Sequence, residues 1–367
     1  MSASRDVLLF CLGNPAYRRG REAALYSALR SLPPQELLGL LDRSHLLGLF
    51  AVAIEGLPSQ SGDVAMLRET IAPRLMVRTI FNTHILAELL HLGTALGDRA
   101  PETRPVVLKG ISHWGTVYDD AIERRVRDLD LLVGSEEDAR QLCDTLEAEG
   151  YEGLFFVDDE RTVREHMLAG DSYSAPPYRI RRRIDIGDQD ALEVQGAIEE
   201  FGGDLGLEFM SPGELVMTVD VELHTALFAT ETGQFIRYDR KDFAASPNLP
   251  QFDDMRTGTA LAYTSAKFAL DVLETVSSGS PSLKPLKLLA DLIRVLGRCN
   301  QNDYDDAFRL ALRWGCVHHM IDALQSAKML APDVSLHGVP ASDGRTSLDV
   351  LLDHALSGDV AEATCSA

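Results

Sequence analysis

With 35 basic against 56 acidic residues, the chain carries a net charge of −21 over 367 residues, a field that repels polyanions and disfavours nonspecific contact with nucleic acid or an anionic membrane surface. Apolar residues make up 45% and charged residues 25%, a globular balance with length enough for a large core, as two or three domains or one extended fold. The five cysteines (Cys11, Cys143, Cys299, Cys316 and Cys365) are scattered and form no Cys-x-x-Cys pair, which argues against a zinc site or a disulfide framework and for a reducing compartment.

The apolar stretch 7–12 is too short for a signal-peptide core. The longest apolar stretch, residues 46–54, is far below the roughly 20 residues of a membrane span. The expectation is a cytoplasmic protein without a membrane partner. Residues 1–100 read as a helical region. Pro33 and Pro34 open a segment, 35–56, in which Leu37, Leu38, Leu40, Leu41, Leu46, Leu47, Leu49 and Phe50 recur at helical spacing. A Gly/Pro/Ser cluster at 56–63 breaks the pattern. Residues 64–96 then form a long amphipathic helix with Pro73 near its first turns, or marking a break. No chemistry stands out in this region, which suits a flank packed on the next domain.

From 101 to 235 strands and helices alternate, as in an α/β core. Residues 105–108 form a short strand ending at Lys109-Gly110, and 111–118 a helix followed by a turn at Asp119 and Asp120. A strand at 125–133 comes next. Ser135, three residues before Asp138, suits the N-cap of a helix to Glu149, with Gly150 as its stop. Strands follow at 151–157, 178–186 and 215–223. Residues 236–367 turn helical again, at 257–276, 283–296 and 303–330, the last interrupted near Gly315, with a frayed tail past 357.

The chemistry centres on Arg-Val-Arg-Asp-Leu-Asp-Leu-Leu-Val, residues 125–133. An extended strand sends Asp128 and Asp130 to one face and Leu129, Leu131 and Val133 to the other. Neighbouring carboxylates repel unless a cation neutralises them, and such a pair can hold the divalent ions of a phosphoryl or nucleotidyl displacement. The plainer alternative is a solvated strand face. Lys109-Gly110 at a helix start suits a phosphate, although a strand end followed by Gly is common. A third carboxylate is offered by Val-Asp-Val-Glu-Leu-His, residues 219–224, where Asp220, Glu222 and His224 share one face. Glu193, in Ala-Leu-Glu-Val-Gln, is its rival. His224 is positioned to orient Glu222 or to touch substrate, or is structural. Arg179, Arg181 and Arg183 form a basic strand face, either for an anionic ligand or for solvent and edge protection. His318 and His319 lack acidic or cysteine partners at metal spacing.

Lys109-Gly110, Tyr118, Arg124 four residues before Asp128, Asp-Leu-Asp-Leu-Leu-Val and Glu222-Leu-His224 together resemble the bacterial uncharacterised nucleotidyltransferase family, of the polymerase-β-like nucleotidyltransferase superfamily. The likeness extends into the flanking helices at 34–57, 286–296 and 311–330. Three departures stand out: Lys-Gly replaces the usual Gly-Ser turn, Glu222 the common Asp, and Thr225 the aromatic that often follows the His.

The resemblance implies an α+β fold whose α/β core, at 101–235, is a mixed sheet with helices, flanked by helical regions at 1–100 and 236–367. It further implies a Mg²⁺-dependent transfer, with Mn²⁺ as a substitute, of a nucleoside monophosphate from an NTP such as ATP. The acceptor would be a small molecule, peptide or protein, and pyrophosphate would be released. Asp128, Asp130 and Glu222 would be the catalytic and metal-holding residues. Lys109, Gly110, Arg124 and His224 would line the nucleotide side. A catalytically inactive nucleotide-binding or scaffold protein, and an RNA-end nucleotidyltransferase, are the alternatives.

Overall fold

A computed structural model of the chain describes residues 3–55, 57, 62–113, 117–118, 121–153, 177–185, 191–211, 214–237, 239–336, 338–340 and 344–365. The chain folds into two compact units, one from residues 1–71 and 257–367, the other from 72–256. Local sequence pattern changes at 100 and 235, whereas tertiary contacts divide the chain at 71/72 and 256/257.

The first unit begins with α1 (Ala3–Leu12), α2 (Pro15–Arg18), α3 (Glu22–Ser31), α4 (Pro34–Arg43) and α5 (Leu47–Glu55). The leucine-rich segment at 35–56 is thus two helices, bent by 119°. The break lies at His45, whose φ of 58° belongs to the left-handed region and cannot continue a right-handed helix. Burying both leucine faces, Leu37, Leu38, Leu40 and Leu41 on α4 and Leu47, Leu49, Phe50 and Ile54 on α5, favours this bend over one straight rod. Among the described residues no single helix is long and apolar enough to cross a membrane.

Helix α6 (Gly62–Arg99) is continuous and contains Pro73. Its later turns belong to the second unit, where Val77, Phe81, Ile85, Leu89, Leu92 and Leu96 form one buried stripe at spacings of three and four residues. This stripe joins the core of an eight-stranded mixed sheet. The strands are β1 (Val106–Val107), β2 (Asp128–Leu132), β3 (Glu152–Gly153), β4 (Tyr178–Ile184), β5 (Leu207–Ser211) and β6 (Glu214–His224). A separate hairpin, β7 (Ala226–Ala229) with β8 (Phe235–Arg237), precedes the last two strands, β9 (Phe243–Ala245) and β10 (Asp253–Met255). The order is β3-β4-β6-β2-β1-β10-β9, with β5 also on β6. Pairing is parallel for β2·β6 and β1·β10 and antiparallel elsewhere in the sheet.

Helices α7 (Glu136–Ala148) and α8 (Ala191–Phe201) add Leu142, Leu146, Val194 and Ile198 to the same core. The Ser135 side chain caps α7 by accepting from the Asp138 N–H at 3.0 Å, and Gly150 follows the helix at φ 86°. Leu129, Leu131, Val219, Val221 and Leu223 face this core. Strand alternation therefore turns Asp128, Asp130, Asp220, Glu222 and His224 to the opposite face, and a one-residue slip in register would exchange the two sets.

The first unit is completed by α9 (Thr257–Ser277), α10 (Leu286–Leu296), α11 (Gln301–Trp314), α12 (Val317–Leu330) and α13 (Ser347–Cys365). Helix α9 is central and contacts each of the other four. Asn300 and Asp303 form a reciprocal capping box at the start of α11, and Gly315, at φ 70°, ends it.

Several elements differ from their sequence expectation. The helix expected at 111–118 is a 3₁₀ turn, Lys109–His113, and Tyr118 lies in a β-bridge. Residues 114–116, 119–120, 154–157 and 186 of the expected elements lie outside the described residues. Residue 193, the rival third acid, falls in helix α8, and the tail expected to fray is helical to Cys365. Strands β5, β9 and β10 escape a periodicity reading. At three to five residues they are too short to display alternation, and pairing with a neighbour stabilises them.

Gly258 lets α9 pack tightly on α11: a Cβ there would lie 2.8 Å from Asp306 Cβ and 2.9 Å from the Asp303 carbonyl oxygen. Gly258→Ala should lower stability by about 1–3 kcal/mol through overpacking, despite the better helix propensity of Ala. A reduced urea midpoint with an unchanged m-value is the expected reading.

Candidate active site

The site is built on the parallel pair β2·β6. Its register sets Asp128 beside Asp220, Asp130 beside Glu222, and Leu132 beside His224. Neighbouring strands run about 4.8 Å apart, so Asp130 and Glu222 occupy one row, with Asp128 about 6.6 Å along β2 on the same face. Backbone bonds extend the ladders beyond the ends of β1 and β2. The Leu108 N–H donates to the Asp130 carbonyl at 2.9 Å and the Val133 N–H to the His224 carbonyl at 3.0 Å. The first of these bonds delivers Lys109 directly to the acidic row.

Asp130 is the most enclosed of the carboxylates, at 3% exposure. Its Oδ1 accepts from Lys109 Nζ at 2.5 Å and from His224 Nε2 at 2.8 Å. His224, equally buried at 3%, also has Nε2 3.8 Å from Glu222 Oε2. Burial opposes ionisation of Asp130, but the Lys109 charge and the hydrogen bond from His224 prevail and hold its carboxyl well below the usual carboxylate range. Glu222 behaves oppositely. Burial raises its pKa, the charges of Asp130 and Asp128 add to that, and Lys109 and His224 pull it back. With its side chain 35% exposed, Glu222 is the solvent-facing member of the row.

This donor set fits a divalent ion. One ligand atom each from Asp130, Glu222 and His224 lies within 4.8 Å of the other two, and of the three acids expected to hold the metal, Asp128 is not in this group. Octahedral ligands at about 2.1 Å from an ion stand roughly 3 Å apart when adjacent and 4.2 Å when opposite. The carboxylates that repel one another are those whose charge a dication would neutralise.

The Lys109-Gly110 turn opens the 3₁₀ segment Lys109–His113. Lys109 has φ 57°, a left-handed conformation that costs a non-glycine residue on the order of 1 kcal/mol. Gly110 allows a close approach from below: a Cβ there would sit 3.3 Å from Arg124 Cζ and 3.4 Å from Val126 Cγ2. Arg124 is buried and donates through Nη1 to the Arg125 carbonyl at 2.9 Å. The family resemblance implies a place for Arg124 on the nucleotide side, and the fold sets its guanidinium beside the Gly110 turn.

Two positioning residues on α6 carry no motif. Asn82, wholly buried, donates to the Arg124 carbonyl at 3.2 Å, and Arg78 donates to the Ile122 carbonyl at 3.5 Å. They anchor the segment that enters β2. The available signal was a pair of polar residues four apart, directly following Val77 and Phe81 of the apolar stripe. Further along α6, Glu88 accepts from Tyr151 Oη at 2.6 Å and from Arg182 Nη2 at 2.9 Å, tying the helix to the inner face of β4.

On the outer face of β4, each arginine meets an acid of β5 or β6. Arg179 binds Asp220 in bidentate fashion at 2.7 and 2.9 Å, Arg181 pairs with Glu208, and Arg183 with Glu214. The basic face is an ion-pair ladder, and Asp220 is engaged by Arg179. Of the acids considered from sequence, the register therefore brings Glu222 beside Asp130.

A family model described as "uncharacterised nucleotidyltransferase" matches residues 31–332. No curated protein and no solved structure matches the chain.

Asn82→Ala removes a buried hydrogen bond to the backbone entering β2. It should cost about 1–2 kcal/mol of stability and raise amide exchange at residues 124–128. Exchange unchanged there would show that Asn82 does not hold the strand.

Proposed function

The chain belongs to the uncharacterised nucleotidyltransferase family, and from that membership and the carboxylate row we propose a Mg²⁺-dependent transfer of a nucleoside monophosphate from an NTP to a small-molecule, peptide or protein acceptor. The supporting observation is the parallel register that puts Glu222 beside Asp130, with the Lys109 ammonium 2.5 Å from Asp130 Oδ1. Asp128, Asp130 and Glu222 would hold the metal, with Mn²⁺ as a substitute. When bound, the metal would neutralise triphosphate charge and polarise the α-phosphoryl group.

The chain's own residues supply position and proton handling. Lys109, beside the acidic row on a strained turn, would meet the triphosphate oxygens, and the Gly110 backbone would permit their approach. Arg124 would act through the turn that it supports. His224 donates to Asp130 and so fixes the orientation of that carboxylate. Glu222, whose pKa is raised and whose side chain reaches solvent, would take the proton of an acceptor hydroxyl as its oxygen attacks the α-phosphorus. The bond to the β-phosphate bridging oxygen breaks, and pyrophosphate leaves in line. Most of the catalysis is positioning and charge neutralisation.

The acidic surface and the engaged arginine ladder support a compact acceptor over a long polyanion. Incubation with α-labelled NTPs, Mg²⁺ or Mn²⁺ and a candidate acceptor extract should yield a labelled acceptor. Asp128→Ala/Asp130→Ala should reduce that yield by at least about 10²–10³-fold. No labelled product, with nucleotide bound equally well by the double variant in the presence of metal, would overturn the assignment. Label on RNA would redirect it to an RNA end.

A further inference from the structure

Asp130 Oδ1 receives both the Lys109 ammonium, at 2.5 Å, and His224 Nε2, at 2.8 Å. A carboxylate oxygen offers about two lone-pair sites, so donors from within the chain fill the capacity of this one. A metal ion held at this row would draw on the same carboxylate charge, which puts the Lys109 ammonium in direct competition with it for Asp130.

The two donors differ in how readily they can leave. His224 is buried and arrives from β6, a strand locked in register with β2. Lys109 arrives from a turn on a flexible four-carbon stem, with its side chain 27% exposed. An ammonium is a compact point charge with three rotatable donors, which can exchange one oxyanion for another without moving the backbone. The left-handed φ of Lys109 points the same way: the fold bears the cost of an unfavourable backbone at the residue whose charge reaches the carboxylates.

We propose that Lys109 is an exchangeable counter-ion that couples metal binding to nucleotide binding. In the free protein its ammonium neutralises Asp130 and occupies the oxygen that a divalent cation needs. A nucleoside triphosphate draws the ammonium onto its phosphate oxygens and frees that oxygen for the metal. Metal and nucleotide thereby bind as a pair, each raising the affinity for the other by the same factor. This inference rests on the metal–nucleotide reading given above.

The first test uses the full chain without nucleotide and follows free Mn²⁺ by electron paramagnetic resonance. Lys109→Met keeps the stem and removes the charge. It should bind Mn²⁺ more tightly than the unmodified chain, by about 5- to 150-fold, the usual span of a coupling between sites. Lys109→Arg should stay near the unmodified affinity, and adding Asp130→Asn to Lys109→Met should abolish the gain. Equal Mn²⁺ affinity in the unmodified chain and Lys109→Met overturns the counter-ion role and leaves the carboxylate site standing. Absence of Mn²⁺ binding in every variant overturns both.

A second measurement needs no substitution. Amine acylation of the Lys109 peptide, read by mass spectrometry, should rise on adding Mn²⁺ alone and fall when α,β-methylene ATP is added with Mn²⁺. Labelling unchanged by saturating Mn²⁺ overturns the proposal.

Discussion

Everything at the site depends on one unfavourable juxtaposition: parallel pairing of β2 with β6 puts Glu222 beside Asp130 and Asp220 beside Asp128. Like charges facing one another across strands destabilise a sheet, and enclosure sharpens the repulsion because the effective dielectric falls. The chain answers with separate side-chain partners. Arg179 takes Asp220 with two hydrogen bonds, and Lys109 with His224 takes Asp130. Glu222 keeps the residual strain, its pKa raised by burial and by the charges of Asp130 and Asp128. A row of acids under such strain favours a neighbouring cation, in a chain that belongs to the uncharacterised nucleotidyltransferase family.

The opposite face of the same strands makes that arrangement affordable. Leu129, Leu131, Val219, Val221 and Leu223 are completely buried in a core shared with α6. Helix α6 also carries the polar contacts that aim the site: Arg78 and Asn82 hold the backbone leading into β2, and Glu88 ties Arg182 and Tyr151. A region that reads from sequence as a helical flank thus supplies the support behind the acidic strand. Its polar residues lie among apolar ones at helical spacing, and the carbonyls they bind lie some forty residues away in sequence, beyond the reach of any local pattern.

What the sequence left open follows the same division. The regular alternation of Arg179, Arg181 and Arg183 on β4 allowed either an anion surface or a solvated, edge-protecting face. Strand pairing supplies each with an acid that is 27 to 41 residues distant. The sequence does not show that Arg124 lies beside the Gly110 turn with Nη1 donating to the Arg125 carbonyl, because that contact depends on how the turn packs against the chain entering β2. The bend between α4 and α5 was invisible because a leucine pattern at helical spacing continues through His45, and only burial of both faces decides against a straight helix.

What the sequence by itself determined is whatever depends on neighbours within a few residues. The alternation Asp-Leu-Asp assigned carboxylates and leucines to opposite faces, Ser135 and Gly150 bounded α7, and Lys109-Gly110 marked the turn before the acidic strand. These features, with Glu222-Leu-His224, carried the resemblance to a family whose model matches residues 31–332. Tertiary structure alone decided which acid stands beside Asp130, because strand register couples residues more than ninety apart and is set by burial of the apolar face. It also decided that Lys109 and His224 converge on one oxygen of Asp130. Three chain segments meet at that atom, and no local pattern encodes a three-way contact.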